Sequence, residues 1–590
     1  MRLAKLGDLD AAVDAFVEAI ALDRRNLDLQ YNLSILQEQR GEIDQAAALL
    51  TEVLHRKPLH PQAASRLSRL LARYQIEDLR VLDAAGLKAA LMADNIAHQP
   101  IVDCATKWLV ANQPSIEASI DLIERGKGEE RICGKAVIAE RTAEFLKHEA
   151  LLLCLRQGII KHPGFERLLT GVRASLLLDC ATARFDDRGL TGLALALIVQ
   201  GWNNDHAWAE TSTEIAALSA LAIDRAALLA GDREATRRLI CAALYRPLDE
   251  IIAPPLTADE ARRLKPRSLR ETIEPQVIAT ARQRAAGAAI PSLKSLIDTT
   301  SLKVAGQYEA APYPRWHSLH ISAPGALTHA IKERLPAGTH AWLDHPFEVL
   351  IAGCGTGQQA LQSATGYGPT IHLTALDLSR ASLGYASDMA DRHQIANVSF
   401  VLGDILDAGL IERDFDIIEC VGVLHHMADW RAGWRALLQR LKPTGLMYIG
   451  LYSAVSRQNL CALRAESTYP GPGCDTARAR DYRRELLLRD DAVPGGDLKI
   501  SRDFYSLNAF RDLVLHESEA HVTIEEIAEF LDANRLLFRG FTVEADVQAE
   551  FAAAYPGSGR PGTLANWAAF ERSRPRLFDA MYRFWVERQS

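Results

Sequence analysis

Three glycines at alternate positions, Gly353, Gly355 and Gly357 in "VLIAGCGTGQQ", follow a short apolar run and lead into a helix-like stretch. A strand, a glycine turn and a helix start let the backbone approach a bound group closely, because glycine has no side chain to hold it away. Twenty residues beyond Gly357, "IHLTALDLS" reads as a second apolar strand ending at Asp377, an acid placed to accept hydrogen bonds from ribose hydroxyls. A third strand-like run, "VSFVLGDILD", ends at Asp404, where a carboxylate can accept a bond from an adenine amino group. The set predicts a site for a nucleoside-bearing cofactor. A dinucleotide fingerprint needs glycine at the sixth position of GxGxxG; here Gln358 stands there and the third glycine comes one residue early, which argues against NAD. Taken singly, the glycines also fit a tight turn, and either acid fits a helix cap.

"DFDIIECVGVLHHMADW" supplies a fourth strand and a loop, and "LLQRLKPTGLMYIGLYS" a helix, a turn and a fifth strand. With "GCGTG", "LDLS", "GDI", "VLHHM" and "LKPTG" in this order, the region from about 345 to 455 resembles the seven-strand S-adenosylmethionine-dependent methyltransferase family. The resemblance implies a Rossmann-like, doubly wound sheet and S-adenosylmethionine as cofactor, with no metal. It also implies roles: Gly353, Gly355 and Gly357 pass the cofactor's methionine and ribose, Asp377 holds the ribose, and Asp404 reaches the adenine. Family members often carry an acid two residues before the first glycine. This chain has Ile351 there, and Glu348 stands three positions too early to be assumed a substitute, so the partner of the methionine ammonium is open. Lys442 and Pro443 read as structural, turning the chain into the fifth strand.

His425 and His426 follow the fourth strand, near the expected methyl acceptor. An imidazole with its ordinary pKa near ~6.5 can take a proton from an oxygen or nitrogen nucleophile. His425 is the candidate catalytic base; a structural or cofactor-side role is the alternative, since the pair recurs across the family with varied substrates. Upstream, "GQYEAAPYPRW" gathers Tyr308, Tyr313, Arg315 and Trp316. Tyr308 is a cofactor-binding candidate, its ring laid over the sulfonium, with a basic group free to meet the cofactor carboxylate; a proline-stiffened linker is the other reading. A second aromatic patch, Phe504 and Tyr505 in "SRDFYSLNAF", is expected either to close the acceptor pocket or to pack at a helix entry. Methyl transfer from a sulfonium needs alignment and exclusion of water rather than a dedicated nucleophile. Glu419 stands alone in "IIECVGVLHHM", without the paired glutamates of arginine methyltransferases.

The elements that hold these residues form the second half of a 590-residue chain, too long for one core and expected to divide into three or four units. "GDLDAAVDAFVEAI" from Gly7 and "GEIDQAAALLTEVL" from Gly41 repeat at an offset of 34 residues, the tetratricopeptide period. Ala12 and Ala46 match the small packing position of that repeat, Pro58 ends the second copy, and "PQAASRLSRLLARY" reads as a third first-helix or a cap. The chain begins part-way through the first repeat's opening helix, so either its true start lies upstream or the array opens with a half repeat. From about 75 to 290 the pattern is helical, as in "FERLLTGVRASLLL", and "LTGLALALIVQGW" reads as a buried helix, short of the ~20 residues that cross a bilayer. "LLFRGFTVE" is a possible strand, and the closing "FWVE" segment is expected to be helical.

The fold class expected is therefore α plus α/β, multidomain. Helical repeats cover 1–74, an all-helical middle domain 75–295, the methyltransferase domain 296–470, and a C-terminal extension that completes or covers it 471–590. A formal net charge of −8 without a basic block argues against nucleic acid. Nine scattered cysteines fit reduced thiols, and no export signal is visible, which points to the cytoplasm. The likeness to bacterial proteins that join tetratricopeptide repeats to a methyltransferase implies a protein or peptide partner, or substrate, docked on the repeats. The alternatives are a catalytically inactive adaptor acting through its repeats and a small-molecule methyltransferase.

Overall fold

Four helices, α1 (Leu9–Leu22), α2 (Leu27–Arg40), α3 (Ile43–Arg56) and α4 (Ala63–Arg73), form where the repeats are expected. The computed structural model describes residues 8–60, 62–94, 96–125, 148–179, 188–310, 312–316, 319, 321–336, 339–557, 562–578 and 581–589; Gly7 lies outside them. Asp8 caps α1 by accepting from the Ala11 amide at 3.1 Å, and Gly41 ends α2 in the left-handed region, φ 84°, which glycine reaches without strain. Ala46, Leu50 and Val53 fall on one face of α3 and are fully buried, as the helical spacing requires.

From Ala46 to Val277 the buried apolar side chains form one continuous cluster, so the second repeat and the middle helices share a core. The helix Pro163–Leu178 buries Phe165, Leu168, Leu169, Val172 and Leu176. The apolar run from Leu190 lies inside the helix Arg188–Asn203, and no helix among the described residues is long and apolar enough to cross a membrane.

Two later segments join this first unit, which comprises Met1–Ile278, Arg483–Leu488 and Lys499–Leu507. The fully buried Arg483 guanidinium makes a fork of hydrogen bonds to Glu166, at 2.7 and 2.6 Å, and donates through Nε to the Phe504 carbonyl at 2.6 Å. The Leu507 amide donates to the Asn204 carbonyl at 3.0 Å, and Ser506 Oγ to Asp205 at 2.5 Å. The pair is desolvated on both sides, so each charge relies on the other.

The second unit, Ala279–Tyr482, Arg489–Leu498 and Asn508–Ser590, is built on a sheet. Among the described residues, β1 (Glu348–Ala352), β2 (His372–Asp377), β3 (Val398–Leu402), β4 (Phe415–Val421), β5 (Leu441–Tyr452), β6 (Leu536–Phe541) and β7 (Met581–Arg588) lie in the order β3-β2-β1-β4-β5-β7-β6. Neighbours from β3 through β5 are parallel, and β7 runs antiparallel between β5 and β6. Both faces are covered: Val349 and Ile351 of β1 enter one apolar cluster, Leu350 and Ala352 the other, as a doubly wound sheet demands.

"LLFRGF" is the strand β6, whereas "FWVE" corrects the expected closing helix: it lies in β7. Tyr582, Phe584 and Val586 are buried at every second position, a strand period, and Phe584 pairs with Ile449 on one side and Phe541 on the other. Lys442 sits in β5 and bonds Asp416 at 2.7 Å, while the same carboxylate oxygen accepts from the Glu348 amide at 2.9 Å, tying the starts of β1, β4 and β5.

Replacing Glu166 by Ala strands Arg483 in the first unit's interior. The expected cost is about 3–5 kcal/mol, read as a lower urea midpoint for helix loss by circular dichroism, with new proteolytic cleavage between residues 483 and 507.

Candidate active site

After β1 the chain turns through Gly353, Gly355 and Gly357, all left-handed, with φ 76°, 52° and 82°. Space demands glycine too. A Cβ on Gly353 would lie within 2.4–2.9 Å of the Val423 side chain, and one on Gly355 would lie 2.8 Å from the Tyr313 carbonyl oxygen. The turn is tied to the end of β2: the Gly353 and Cys354 amides donate to the Leu376 carbonyl at 2.8 and 3.0 Å. Asp377 completes the tie, one carboxylate oxygen accepting from the Gly355 amide at 2.7 Å and the other from the Ser379 amide at 2.9 Å. Burial pushes this carboxyl above its ordinary range, and the amides pull it back.

A cavity of about 340 Å³ opens at the carboxyl ends of the strands, where the strand order reverses between β1 and β4 and ligands of doubly wound sheets bind. Its wall includes Gly353, Gly355, Asp377, Asp404 and Tyr308. Gly357 is not on the wall; it caps the helix Gln358–Tyr367, whose Gln358, Gln359 and Gln362 are. Asp404 also caps a short helical turn, accepting from the Leu406 amide at 2.9 Å. None of the described residues lining the cavity is Lys or Arg.

The two aromatic patches part company. Tyr313 reaches the cavity with Tyr308, but Trp316 is buried against Tyr385 and anchors the glycine turn by donating from Nε1 to the Thr356 carbonyl at 3.0 Å. Phe504 and Tyr505 do not close the acceptor pocket. They are buried in the first unit, under the Arg483 guanidinium, 5.0 and 5.7 Å from their ring centres.

Of the neighbouring histidines, His426 borders the cavity and His425 does not. His425 is fully buried, stacked on Tyr452 at 3.7 Å, with Nδ1 accepting from the Tyr452 amide at 3.3 Å and Nε2 without a partner among the described residues. Burial holds its pKa well below the ordinary value, which favours the neutral ring in the core. His426 stacks on His516 at 3.6 Å and bonds the Ser518 carbonyl through Nδ1 at 2.9 Å. Tyr308 donates to Asp512 at 2.5 Å and meets His516 Nε2 at 3.2 Å. No sequence motif pointed to Asp512 or His516; they come from the helix Leu507–Val514 and the loop after it, far along the chain from the strands.

Ile351 is a core residue of β1, and its register partner on β4 is Glu419. The buried Glu419 carboxylate accepts from Gln359 Nε2 at 2.7 Å, Ser363 at 2.9 Å and Tyr367 at 2.6 Å. An acid is thus present one strand away from the position where the family pattern expects it, and it holds a glutamine of the cavity wall.

Family models described as a methyltransferase domain and a tetratricopeptide repeat match residues 349–445 and 3–73 respectively. The chain carries tetratricopeptide repeats and a methyltransferase domain. Over 275 residues, 42% of this chain and 61% of the relative, it is 28% identical to an uncharacterised protein of Synechococcus sp.. Over 96 residues, 16% of this chain and 42% of the relative, it is 28% identical to the O-methyltransferase rstn1 of Aspergillus nomiae. The matches therefore span less than two thirds of either relative. Among solved structures, PKMT2 from Rickettsia typhi in complex with AdoHcy is similar at a TM-score of 0.32 and 17% identity, over 41% of this chain and 49% of that one.

Within the methyltransferase domain, burial lowers His426 from 6.5 to about 4 and His516 to about 3. Around His426 stand His425, Tyr452, His516 and Asp512, with Glu519 favouring its charged form and Arg457 and Arg464 opposing it. The unfolded chain binds these protons below about pH 6.5 while the folded one refuses them until about pH 4 at His426 and about pH 3 at His516, so their contribution to stability is full above 6.5 and lost as pH falls towards 3. The expected result is a melting temperature of this domain that drops across that window, with a shallower drop in His426→Asn.

Proposed function

We propose that the chain is an S-adenosylmethionine-dependent methyltransferase whose tetratricopeptide repeats dock a protein or peptide partner. The observation behind this reading is the cavity at the strand ends, which brings Gly353, Gly355, Asp377 and Asp404 to one wall. The same residues fit the cofactor: left-handed glycines leave the backbone bare towards the cavity, and Asp377 at the end of β2 and Asp404 just after β3 stand on the wall of an adenosine-sized space. When bound, S-adenosylmethionine supplies an electrophilic methyl group on a sulfonium.

Asp377, with both oxygens oriented by backbone amides, keeps further lone pairs for the ribose hydroxyls. Asp404 uses one oxygen as a cap and turns to the adenine with the other. Gln359 answers the question that Ile351 raises. Its amide nitrogen is spent on Glu419, which leaves its oxygen to accept from the methionine ammonium, with the Glu419 carboxyl behind it. Tyr308 and Tyr313 offer ring faces to the sulfonium. The repeats, with α1 to α4 stacked as helix pairs, supply the kind of surface on which such arrays hold peptides.

Isothermal titration with S-adenosylmethionine and S-adenosylhomocysteine tests this directly. The expected outcome is micromolar-range binding, abolished by Gly355→Arg and weakened by roughly 10- to 100-fold in Asp377→Ala, the loss of hydrogen bonds to a charged group. Glu419→Gln and Gln359→Leu should each weaken binding, and the double variant no further than the worse single one, since the two act in series. Folded protein that binds neither ligand overturns the reading.

A further inference from the structure

Beside the groups that hold the cofactor, the cavity wall brings together the Tyr308 hydroxyl, His426 and Asp512, with His516 bonded to Tyr308, stacked on His426 and within 4.8 Å of Asp512. The backbone of one residue, Ser518, decides where the two histidine hydrogens sit. A carbonyl only accepts, so His426 Nδ1, 2.9 Å from the Ser518 oxygen, carries hydrogen and Nε2 is a bare lone pair. An amide only donates, so His516 Nδ1, 3.1 Å from the Ser518 nitrogen, is bare and the His516 hydrogen is on Nε2, directed at Tyr308 Oη. Tyr308 passes its own hydrogen to Asp512.

This ordering separates two readings of the cluster. Donor atoms of His426, Asp512 and His516 lie within 4.8 Å of one another, a spacing that would suit a metal ion. His516 nevertheless has no lone pair to give one: Nδ1 is occupied and Nε2 is protonated. The hydrogen bonds run in one direction and end on Asp512, which leaves His426 Nε2 as the uncommitted lone pair of the set.

We infer that His426 Nε2 takes the proton from a neutral hydroxyl group, so that the acceptor methylated in this cavity is an alcohol or a phenol. The inference rests on the methyl-transfer reading above. Anionic acceptors such as carboxylates or phosphates find no Lys or Arg on the described wall and meet Asp512 and Asp404 instead. An alkylammonium, ordinarily near ~10.4, would have to yield its proton before it could react at all, and a histidine lowered to about 4 accepts it roughly a millionfold uphill. A hydroxyl differs because its lone pair is available from the start and its proton becomes strongly acidic only as the new bond forms. A weak, neutral base is then sufficient.

In the balanced step, an oxygen lone pair forms the O–CH3 bond and the carbon–sulfur pair stays on sulfur. The O–H pair stays on oxygen as the proton moves to His426 Nε2. The imidazolium then returns its proton to water. Asp512, whose carboxyl burial pushes above its ordinary range while the Tyr308 hydrogen bond pulls it back, stands beside the imidazolium while it exists; Tyr308, His516 and Asp512 are positioning residues.

Two measurements on the full chain test this. In 15N-histidine NMR of protein saturated with S-adenosylhomocysteine, with signals assigned by their loss in His426→Gln, His426 should be neutral at pH 7 with hydrogen on Nδ1; an Nε2–H tautomer or an imidazolium overturns the inference. In the second, labelled-methyl transfer into extract fractions should put the label on a hydroxyl oxygen as an alkali-stable ether, and His426→Gln should lower kcat by roughly 10²–10⁴-fold with S-adenosylhomocysteine affinity unchanged. Label on nitrogen, a base-labile ester, an unaltered rate in His426→Gln, or no transfer by protein that binds S-adenosylhomocysteine each overturns it. Failure to bind S-adenosylhomocysteine overturns instead the methyl-transfer reading.

Discussion

The Asp377 carboxylate is the constraint on which the methyltransferase domain's working end depends. Its two oxygens bond amides from different segments, Gly355 in the turn after β1 and Ser379 after β2, so one side chain fixes how far apart the strand ends stand. Because the group is desolvated, those bonds are worth more than they would be in water, and losing either leaves an exposed cost. The left-handed glycines are the other half of the same device. They let the turn fold tightly enough for the Gly355 amide to reach Asp377, with Trp316 holding Thr356 from the preceding segment.

Beside that turn, two stacked histidines are oriented by backbone. Ser518 presents its carbonyl to one histidine and its amide to the next, and this gives two stacked, chemically identical side chains opposite tautomers. The adjacent His425 illustrates the contrast. Its neighbour in sequence reaches the cavity, while its own ring is packed on Tyr452, a difference of one residue in a short helical turn that changes a reactive group into a core one.

The first unit is organised by a different kind of contact. Its helices share one apolar core, yet the segments around Arg483 and Phe504 are fastened to it through a buried ion pair with Glu166. Such a pair adds little net stability over an apolar substitute, but it specifies position, because only one geometry satisfies the guanidinium fork and the Phe504 carbonyl together.

Local pattern was sufficient for everything governed by neighbours in the chain. The 34-residue period placed the repeat helices, and four-residue spacing from Phe165 to Leu176 identified a buried helix. Apolar runs ending in Gly353, Asp377 and Asp404 located the strand ends that border the cavity. A turn or a strand is set by backbone conformation and side-chain period, and both are written in adjacent residues. The short closing run "FWVE" by itself fits either period; pairing with β5 and β6 on its two sides makes it a strand. Which histidine faces the cavity, which acid stands beside Ile351, and that Asp512 and His516 meet Tyr308 are contacts between distant segments. They follow from sheet register and from how the later helices pack against it, and only the tertiary structure decides those.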